Sequence, residues 1–439
     1  MTSDPDRDDR QRDTLMAQAR HQLFEQPLTI ERGSMEYLYD VDGNEYLDCF
    51  SGIMVTSCGH CNPVINEKIK DQLDRLQHTS TFYLTRPMLE LAERLAEITP
   101  AGLTKSFFVN SGSEAVDGAI LLARAHTGNE VVVALRHGYH GRTLLTEACT
   151  NVFGADDMAF GPHRLDVAVA KNAYCYRCPF GLELPGCELA CAAAIEEELE
   201  AAGIDRIAAI VVEPIQGVGG VIVSPPGHLA ELQRIAHSYG GVLIVDEVQS
   251  GFGRTGTMFV SSQYDIEPDI LVVGKAMANG IPTAAYVARD EIGEAIGRPT
   301  FSTYGGNPLA SAAALATIDY MVDNDLPARA AAAGRRFFDG LARLADGFDL
   351  IGDARGKGLF IGVELVRDRK SRVPATDETL ALIDECRLNG LIVGKSGPAG
   401  NVIRIGPPLT ISDAQIDTAL RILGDALATV SPSPQGSVR

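Results

Sequence analysis

The chain has no apolar run suited to crossing a membrane: none of its uninterrupted hydrophobic stretches approaches about 18 residues. It also has little positive charge to spare. Its 38 Lys and Arg face 58 Asp and Glu, for a formal net charge of −20, which argues against nucleic acid or an anionic membrane as a partner. Lysine is scarce beside arginine, and the acidic surplus is spread along the chain rather than gathered in a tail. An anionic small-molecule substrate is not excluded by this balance, because a basic pocket can sit inside an acidic protein. The opening MTSDPDRDDRQRD lacks the apolar core of a secretory signal, so the expected location is the cytoplasm. No internal repeat at solenoid periods is present.

Nine cysteines, an odd number without a secretory signal, make reduced thiols the default. One cluster stands apart. Cys175 and Cys178 form C-x2-C and are followed by Cys187 and Cys191, with PFGLELPG between. Zinc would need all of these thiolates to converge. A Pro/Gly-rich surface loop with ordinary thiols needs nothing further, and the looser spacing of the second pair favours that reading, with no metal.

At 439 residues the length alone suggests about three domains, and large α/β units push this toward two. Residues 1–13 and the tail 431–439 read as disordered ends. YLYDVDGNEYLD (37–48) alternates around Asp42–Gly43 and predicts a β-hairpin. Helical periodicity dominates from about residue 64 to about 98. From about 105 to 275, the strand-like KSFFVN, EVVVAL, AAIVVEP, VLIVDE and ILVVGK alternate with helical segments. That is the signature of an α/β fold with a mostly parallel sheet covered on both faces. After Asn307 a long alanine-rich helical region (308–346) leads to antiparallel-type strands, a helix, the strands LIVGK and VIRIGPP, and a final helix: a second, α+β unit.

Within the parallel sheet, VLIVDEV (242–248) and DILVVGKA (269–276) are β-branched runs that stop abruptly on ionisable residues. Chemistry in parallel sheets sits at such C-terminal strand ends. Asp246 and Lys275 on neighbouring ends suit pyridoxal phosphate, the lysine forming a Schiff base and the acid facing the pyridinium nitrogen. Read without that context, Lys275 could snorkel to solvent and Asp246 could cap the next turn. FFVNSGSEAVDGAILLARAHTG (107–128) is a strand, a small-residue turn and a helix. Gly112 and Ser113 would present an anion site at the helix N-terminus, and Ser111 or Ser113 with Glu114 would also form a capping box. RHGYHGRT (136–143) offers Tyr139 to stack on a flat ring, His140, and Arg142 to hold a carboxylate. GFGRTG (251–256) matches a dinucleotide fingerprint, but TMFVSSQYDIEPD after it has no helical period, so a nicotinamide site is rejected.

GHCNP (59–63), FFVNSGSEA (107–115), HGYHGRT (137–143), VVEPIQG (211–217), LIVDEVQSGFGRTG (243–256), GKAMANGIP (274–282), STYGGNP (302–308) and VIRIGPPLTIS (402–412) together resemble the class III (ω-type) aminotransferases. These are pyridoxal-phosphate enzymes of fold type I, and the resemblance runs from about residue 25 to 428. It implies a large domain with a seven-stranded, mostly parallel sheet (64–320). A smaller α+β domain would be built from both chain ends (14–63 and 321–430). By position, Lys275 becomes the Schiff-base lysine and Asp246 the partner of the ring nitrogen. Val248 packs on the ring face opposite Tyr139, and Gln249 reaches the phenolic oxygen. Gly112 and Ser113 bind the phosphate, with Thr303 supplied by the other subunit, which implies a homodimer with shared active sites, or a tetramer. Arg142 lies where relatives bind a distal carboxylate, and Arg404 matches the α-carboxylate arginine.

The expected activity is ping-pong transfer of an amino group from an ω-amino acid, 4-aminobutyrate or alanine-like donor to an α-keto acid. An aminomutase, an epimerase or an amino-alcohol-phosphate phospho-lyase of the same fold is the alternative. A non-catalytic scaffold would be expected to lose Lys275 or Asp246. Many glutamate-using relatives carry a glutamate just after Gln-Gly that pairs with the arginine, and here that position is Val218. Arg404 is then unmasked, which favours pyruvate or glyoxylate over 2-oxoglutarate. The CYRCPFGLELPGC loop is similar to alanine–glyoxylate-type and 3-aminoisobutyrate–pyruvate-type members. Asn62, where many relatives have His, carries no assigned function.

Overall fold

Seven strands form the central sheet: β1 (Leu103–Val109), β2 (Val132–Leu135), β3 (Val167–Ala170), β4 (Ala209–Val212), β5 (Val242–Asp246), β6 (Ile270–Val273) and β7 (Ala284–Arg289). Their spatial order is β1-β7-β6-β5-β4-β2-β3, and only β7 runs antiparallel to its neighbours. β2, β4, β5 and β6 are buried at every position. Near-continuous apolar strands with helices on both faces are what a parallel sheet requires. This computed structural model describes residues 23–24, 26–152, 165–297 and 300–431. The disorder expected for 1–13 and 431–439 falls, except for Ser431, outside those residues.

The expected 37–48 hairpin is present as Tyr37–Asp40 against Glu45–Asp48. Asp40 builds its turn by accepting from the backbone N–H groups of Asp42 and Asn44. The helical region after it is two helices, Pro63–Arg75 and Arg86–Ile98. Asn62 caps the first by accepting from Val64 N at 3.0 Å, and it donates to Cys58 O at 2.8 Å. That is a structural job for a position that had no assigned role.

The alanine-rich region after Asn307 is broken. Pro308–Asp323 ends at Asn324, and Asp325, with a left-handed φ of 48°, turns the chain into Leu326–Gly347. Beyond it β8 (Ile351–Lys357), β9 (Phe360–Asp368), β10 (Gly394–Ser396) and β11 (Val402–Ile405) form an antiparallel sheet in the order β8-β9-β11-β10. The expected strand LIVGK divides. Leu391–Ile392 pairs in parallel with Glu45–Asp48 of the N-terminal hairpin, while Gly394–Ser396 joins β11. The two ends of the chain are therefore tied together through this short segment.

GFGRTG does not open a helix. The segment after it forms only a single 3₁₀ turn, Val260–Gln263. Arg254 within it is fully buried and donates to Leu359 O, Pro407 O and Ser57 Oγ. It is an internal brace linking the turn to the C-terminal sheet.

Candidate active site

Strand register places the two ionisable strand ends side by side. β5 and β6 run parallel with Asp246 opposite Val272. Lys275 emerges just past the end of β6, after an extended Gly274, and opens the 3₁₀ turn Lys275–Ala278. Its own φ is 45°, a left-handed value that is costly for a residue with a side chain. Lys275 makes no ion pair or hydrogen bond with any described residue. Burial pushes its ammonium down to about 8, against the pull of Asp246 and with help from Arg404.

Around these ends lies a cavity of about 140 Å³ bounded by Gly112, Ser113, Tyr139, His140, Gly141, Glu213, Asp246, Val248, Gln249 and Lys275. A larger groove of about 1170 Å³ runs between the helices Pro63–Arg75, Arg86–Ile98 and Pro308–Asp323. Its charged lining carries both signs, as a solvated helical surface does, whereas the small cavity gathers buried acids with a lysine of lowered affinity for its proton.

Each wall of the small cavity has a local cause. Helix α1 (Gly112–Thr127) starts at Ser111, whose hydroxyl accepts from Glu114 N at 3.2 Å. Glu114 in turn accepts from Asn110 N at 2.7 Å. The cap leaves the N–H groups of Gly112 and Ser113 at the positive end of the helix, beside the cavity. Ser113 Oγ accepts from Arg142 N at 3.2 Å, which fastens the Tyr139–Arg142 loop to that helix end. A Cβ on Gly112 would come within 3.2 Å of Val248, so glycine there keeps the floor open.

Asp246 is buried and holds two partners. Its Oδ1 accepts from Val248 N at 3.1 Å, and its Oδ2 lies 2.8 Å from His140 Nδ1. Burial opposes a charge on His140. The hydrogen bond and charge of Asp246, with the field of Glu213, outweigh it and raise the imidazole above its ordinary value. Glu213 closes the back of the cavity from the turn after β4. Its carboxylate accepts from Tyr139 N at 2.9 Å and from Gly217 N at 3.0 Å. Burial first, then the nearby Asp246, push its pKa up to about 7, while His140 and the two backbone donors pull it down. Glu213 is the residue missed in the sequence. Its signal was available, since VVEP is a third apolar run stopping on an ionisable residue, as Asp246 and Lys275 are.

Arg404 on β11 is buried but does not border the cavity directly. Its Nη1 donates to Gln249 Oε1 at 3.3 Å, its Nε has no partner among the described residues, and no described carboxylate lies within salt-bridge distance. Burial brings it down to about 10, opposed by the field of Glu213. Val218 is half-buried and contributes only its carbonyl, to Gly397 N. Arg142 is exposed, as is Thr303, and neither borders the cavity of its own chain. Cys175, Cys178, Cys187 and Cys191 line a separate small cavity of about 180 Å³ with no disulfide among them. Among the described residues no group of three or more His, Cys, Asp or Glu is arranged to hold a metal ion.

The cavity fits pyridoxal phosphate. It has an anion-binding helix end at one wall, an aromatic and a branched aliphatic side chain at others, a buried carboxylate and an unpaired lysine. Comparison with known proteins agrees. The Aminotransferase class-III family matches residues 16–427. The mitochondrial alanine–glyoxylate aminotransferase 2 homolog 2 of Arabidopsis thaliana is 38% identical over 396 residues, 90% of this chain and 82% of that protein. The 4-aminobutyrate aminotransferase of Mycobacterium leprae is 40% identical and covers 91% of each chain. The leucine/methionine racemase of Thermococcus litoralis is 38% identical, covering 93% of each. Among solved structures, an Arthrobacter phospholyase in complex with phosphoethanolamine superposes with a TM-score of 0.88 at 32% identity, covering 96% of this chain and 99% of that one. A PLP-bound amine transaminase from an uncultivated Pseudomonas species superposes with a TM-score of 0.85 at 32% identity, covering 95% and 97%. The chain belongs to the class-III aminotransferases, enzymes of fold type I that work with pyridoxal phosphate.

Proposed function

We propose that this aminotransferase moves an amino group from an ω-amino acid, 4-aminobutyrate or alanine-like donor to a small α-keto acid, pyruvate or glyoxylate. One observation carries the choice of acceptor: Arg404 is buried with no described carboxylate within salt-bridge distance, and the position after Gln-Gly is Val218. An unmasked guanidinium favours a compact acceptor whose single carboxylate it holds through a bidentate pair. Turnover with pyruvate, glyoxylate and 2-oxoglutarate tests this, and a clear preference for 2-oxoglutarate overturns it.

Bound in the cavity, pyridoxal phosphate supplies a ring that draws electrons from the amine-bearing carbon of the substrate. In this reading Lys275 attaches the cofactor covalently. Its Nζ would also be placed to move a proton at that carbon, as general base and then acid. Asp246 would hold a proton on the ring nitrogen, with His140 orienting the carboxylate. The N–H groups of Gly112 and Ser113 hold the phosphate, assisted by Thr303 of the other subunit. Tyr139 and Val248 would enclose the ring, and Gln249 would reach its phenolic oxygen. Arg404 takes the α-carboxylate and Arg142 a distal one. Donor and acceptor visit the same site in turn, a ping-pong scheme.

The similarity to a racemase and a phospholyase supports a second reading, in which the enzyme epimerises, isomerises or eliminates instead of transferring the amine. Recovery of the donor's nitrogen in a new amino acid separates the two. A homodimer, or a tetramer, belongs to our proposal: Thr303 is exposed amid Phe82, Tyr83, Leu84, Phe301 and Tyr304, all more than half exposed in the single chain. So does the division into a large unit (64–320) and a small one (14–63 with 321–430), which the parallel pairing of Leu391–Ile392 with the N-terminal hairpin supports. The cytoplasmic placement is also part of this reading; the mitochondrial location in the Arabidopsis name is that protein's own.

A further inference from the structure

No described acid lies within salt-bridge distance of Arg404, yet the arginine is not loose. The guanidinium carbon sits 4.9 Å from the centre of the Phe50 ring. Room for this arrangement is built into the sheet. Gly394 on β10 and Gly362 on β9 are the cross-strand partners of Arg404. A Cβ on Gly394 would collide with the Phe50 ring, and one on Gly362 would press within 2.8 Å of Val221. Glycines on both sides thus leave the arginine side chain a slot, with an aromatic face as one wall.

Phe50 is itself held by an unusual piece of backbone. Ser51, Gly52, Ile53 and Met54 all have positive φ, between 50° and 65°, a left-handed turn made largely of residues with side chains. Such a turn persists only where its surroundings fix it. Asp48 Oδ1 accepts from both Phe50 N and Ser51 N at 2.8 Å, and Ser51 Oγ donates to Gly406 O at 2.8 Å. Cys49 N donates to Ile392 O and its carbonyl accepts from Gly406 N. The segment carrying Phe50 is therefore stitched to the same strand end that carries Arg404. This left-handed turn directly follows Phe50, whose ring faces the arginine.

We infer that Phe50 is the positioning residue for Arg404, its ring face replacing the missing acidic partner and holding the guanidinium ready for a substrate carboxylate. A carboxylate partner would compete with substrate for the N–H donors. A ring face attracts the cation while leaving those donors free, and among the described residues only Gln249 engages the guanidinium, weakly, through Nη1. The inference rests on the reading of Arg404 as the carboxylate site.

The test compares two acceptors on the holoenzyme: pyruvate, and propanal, which has the same carbon count without the carboxylate. The readout is the ratio of their kcat/KM values. Phe50→Leu is expected to lower the pyruvate-to-propanal ratio about tenfold, mainly through the KM for pyruvate, and Phe50→Tyr and Phe50→Trp to restore it. Arg404→Ala is expected to lower it further. If Arg404→Ala leaves the ratio unchanged, the carboxylate role of Arg404 falls. If Arg404→Ala lowers it but Phe50→Leu does not, only the role of Phe50 falls. A ratio lowered in Phe50→Leu and not restored by Tyr or Trp also overturns the cation–π account.

Discussion

Asp246 Oδ2 and His140 Nδ1 lie 2.8 Å apart, both side chains buried, at the end of the strand that faces Lys275 across the cavity. The pair fixes the carboxylate's direction, and Val248 N occupies its other oxygen. Asp246→Asn keeps the shape but removes the charge that, in the proposed role, holds a proton on the ring nitrogen. It is expected to cut kcat by about 10²-fold or more while leaving the circular dichroism spectrum intact. A loss below about tenfold would remove Asp246 from the chemistry.

Lys275 predicts a pH dependence of cofactor capture. Only the neutral amine can attach the cofactor, and burial brings its pKa from 10.5 down to about 8. The rate at which the cofactor-free enzyme takes up pyridoxal phosphate should rise with pH and level off above about 8, followed by stopped-flow absorbance. A rate still rising toward 10.5 would show an unperturbed lysine. Lys275→Ala should show no covalent attachment at any pH.

Glu213 gives a signed prediction for stability. Its pKa is raised from 4.5 in the unfolded chain to about 7 in the fold, so between those values the folded state binds more protons. Stability contributed by the protonated carboxyl is fully present below 4.5 and is lost as pH rises through about 7. Glu213→Gln cannot titrate, and its amide N–H₂ faces one of two backbone donors, a mismatch costing about 1–3 kcal/mol. The gap in denaturation midpoint between wild type and Glu213→Gln should therefore narrow as pH rises across that window. A widening gap contradicts the raised pKa.

Much of this geometry was legible in the sequence because parallel strands leave a strong trace. Runs such as VLIVD and ILVV are buried throughout, so their composition shows directly. β7 was not foreseen. AAYVAR is small-residue-rich and antiparallel, and what makes it a strand is its pairing with β6 on one side and β1 on the other. LIVGK reads as one strand, but its halves belong to different sheets, a tertiary outcome that local alternation does not encode. The Asp246–Lys275 juxtaposition follows from strand adjacency. The contacts of Arg404 with Phe50, 354 positions earlier in numbering (404 minus 50), depend on how the two chain ends meet.

Arg254 separates a structural motif from a ligand-binding one. Its guanidinium satisfies Leu359 O, Pro407 O and Ser57 Oγ inside the protein, and burial lowers it to about 9. Arg254→Ala leaves a cavity and orphaned carbonyls, and a loss of about 3 kcal/mol or more is expected in urea denaturation. Nicotinamide nucleotides should not shift the thermal midpoint of the wild type. A shift on their addition would revive the dinucleotide reading of GFGRTG.

Val218→Glu places a carboxylate where glutamate-using relatives carry one. If Arg404 is the carboxylate site, the new acid competes with pyruvate for the guanidinium, and the KM for pyruvate should rise several-fold. The partner of the new charge can be identified by a double-mutant cycle. In an Arg404→Ala background the glutamate has nothing to neutralise, so adding Val218→Glu should cost little beyond the arginine substitution itself. Strongly non-additive effects on pyruvate binding are thus expected. Additive effects would mean that position 218 acts on the acceptor by a route other than Arg404, and Val218 would lose its place as the residue that leaves the arginine open.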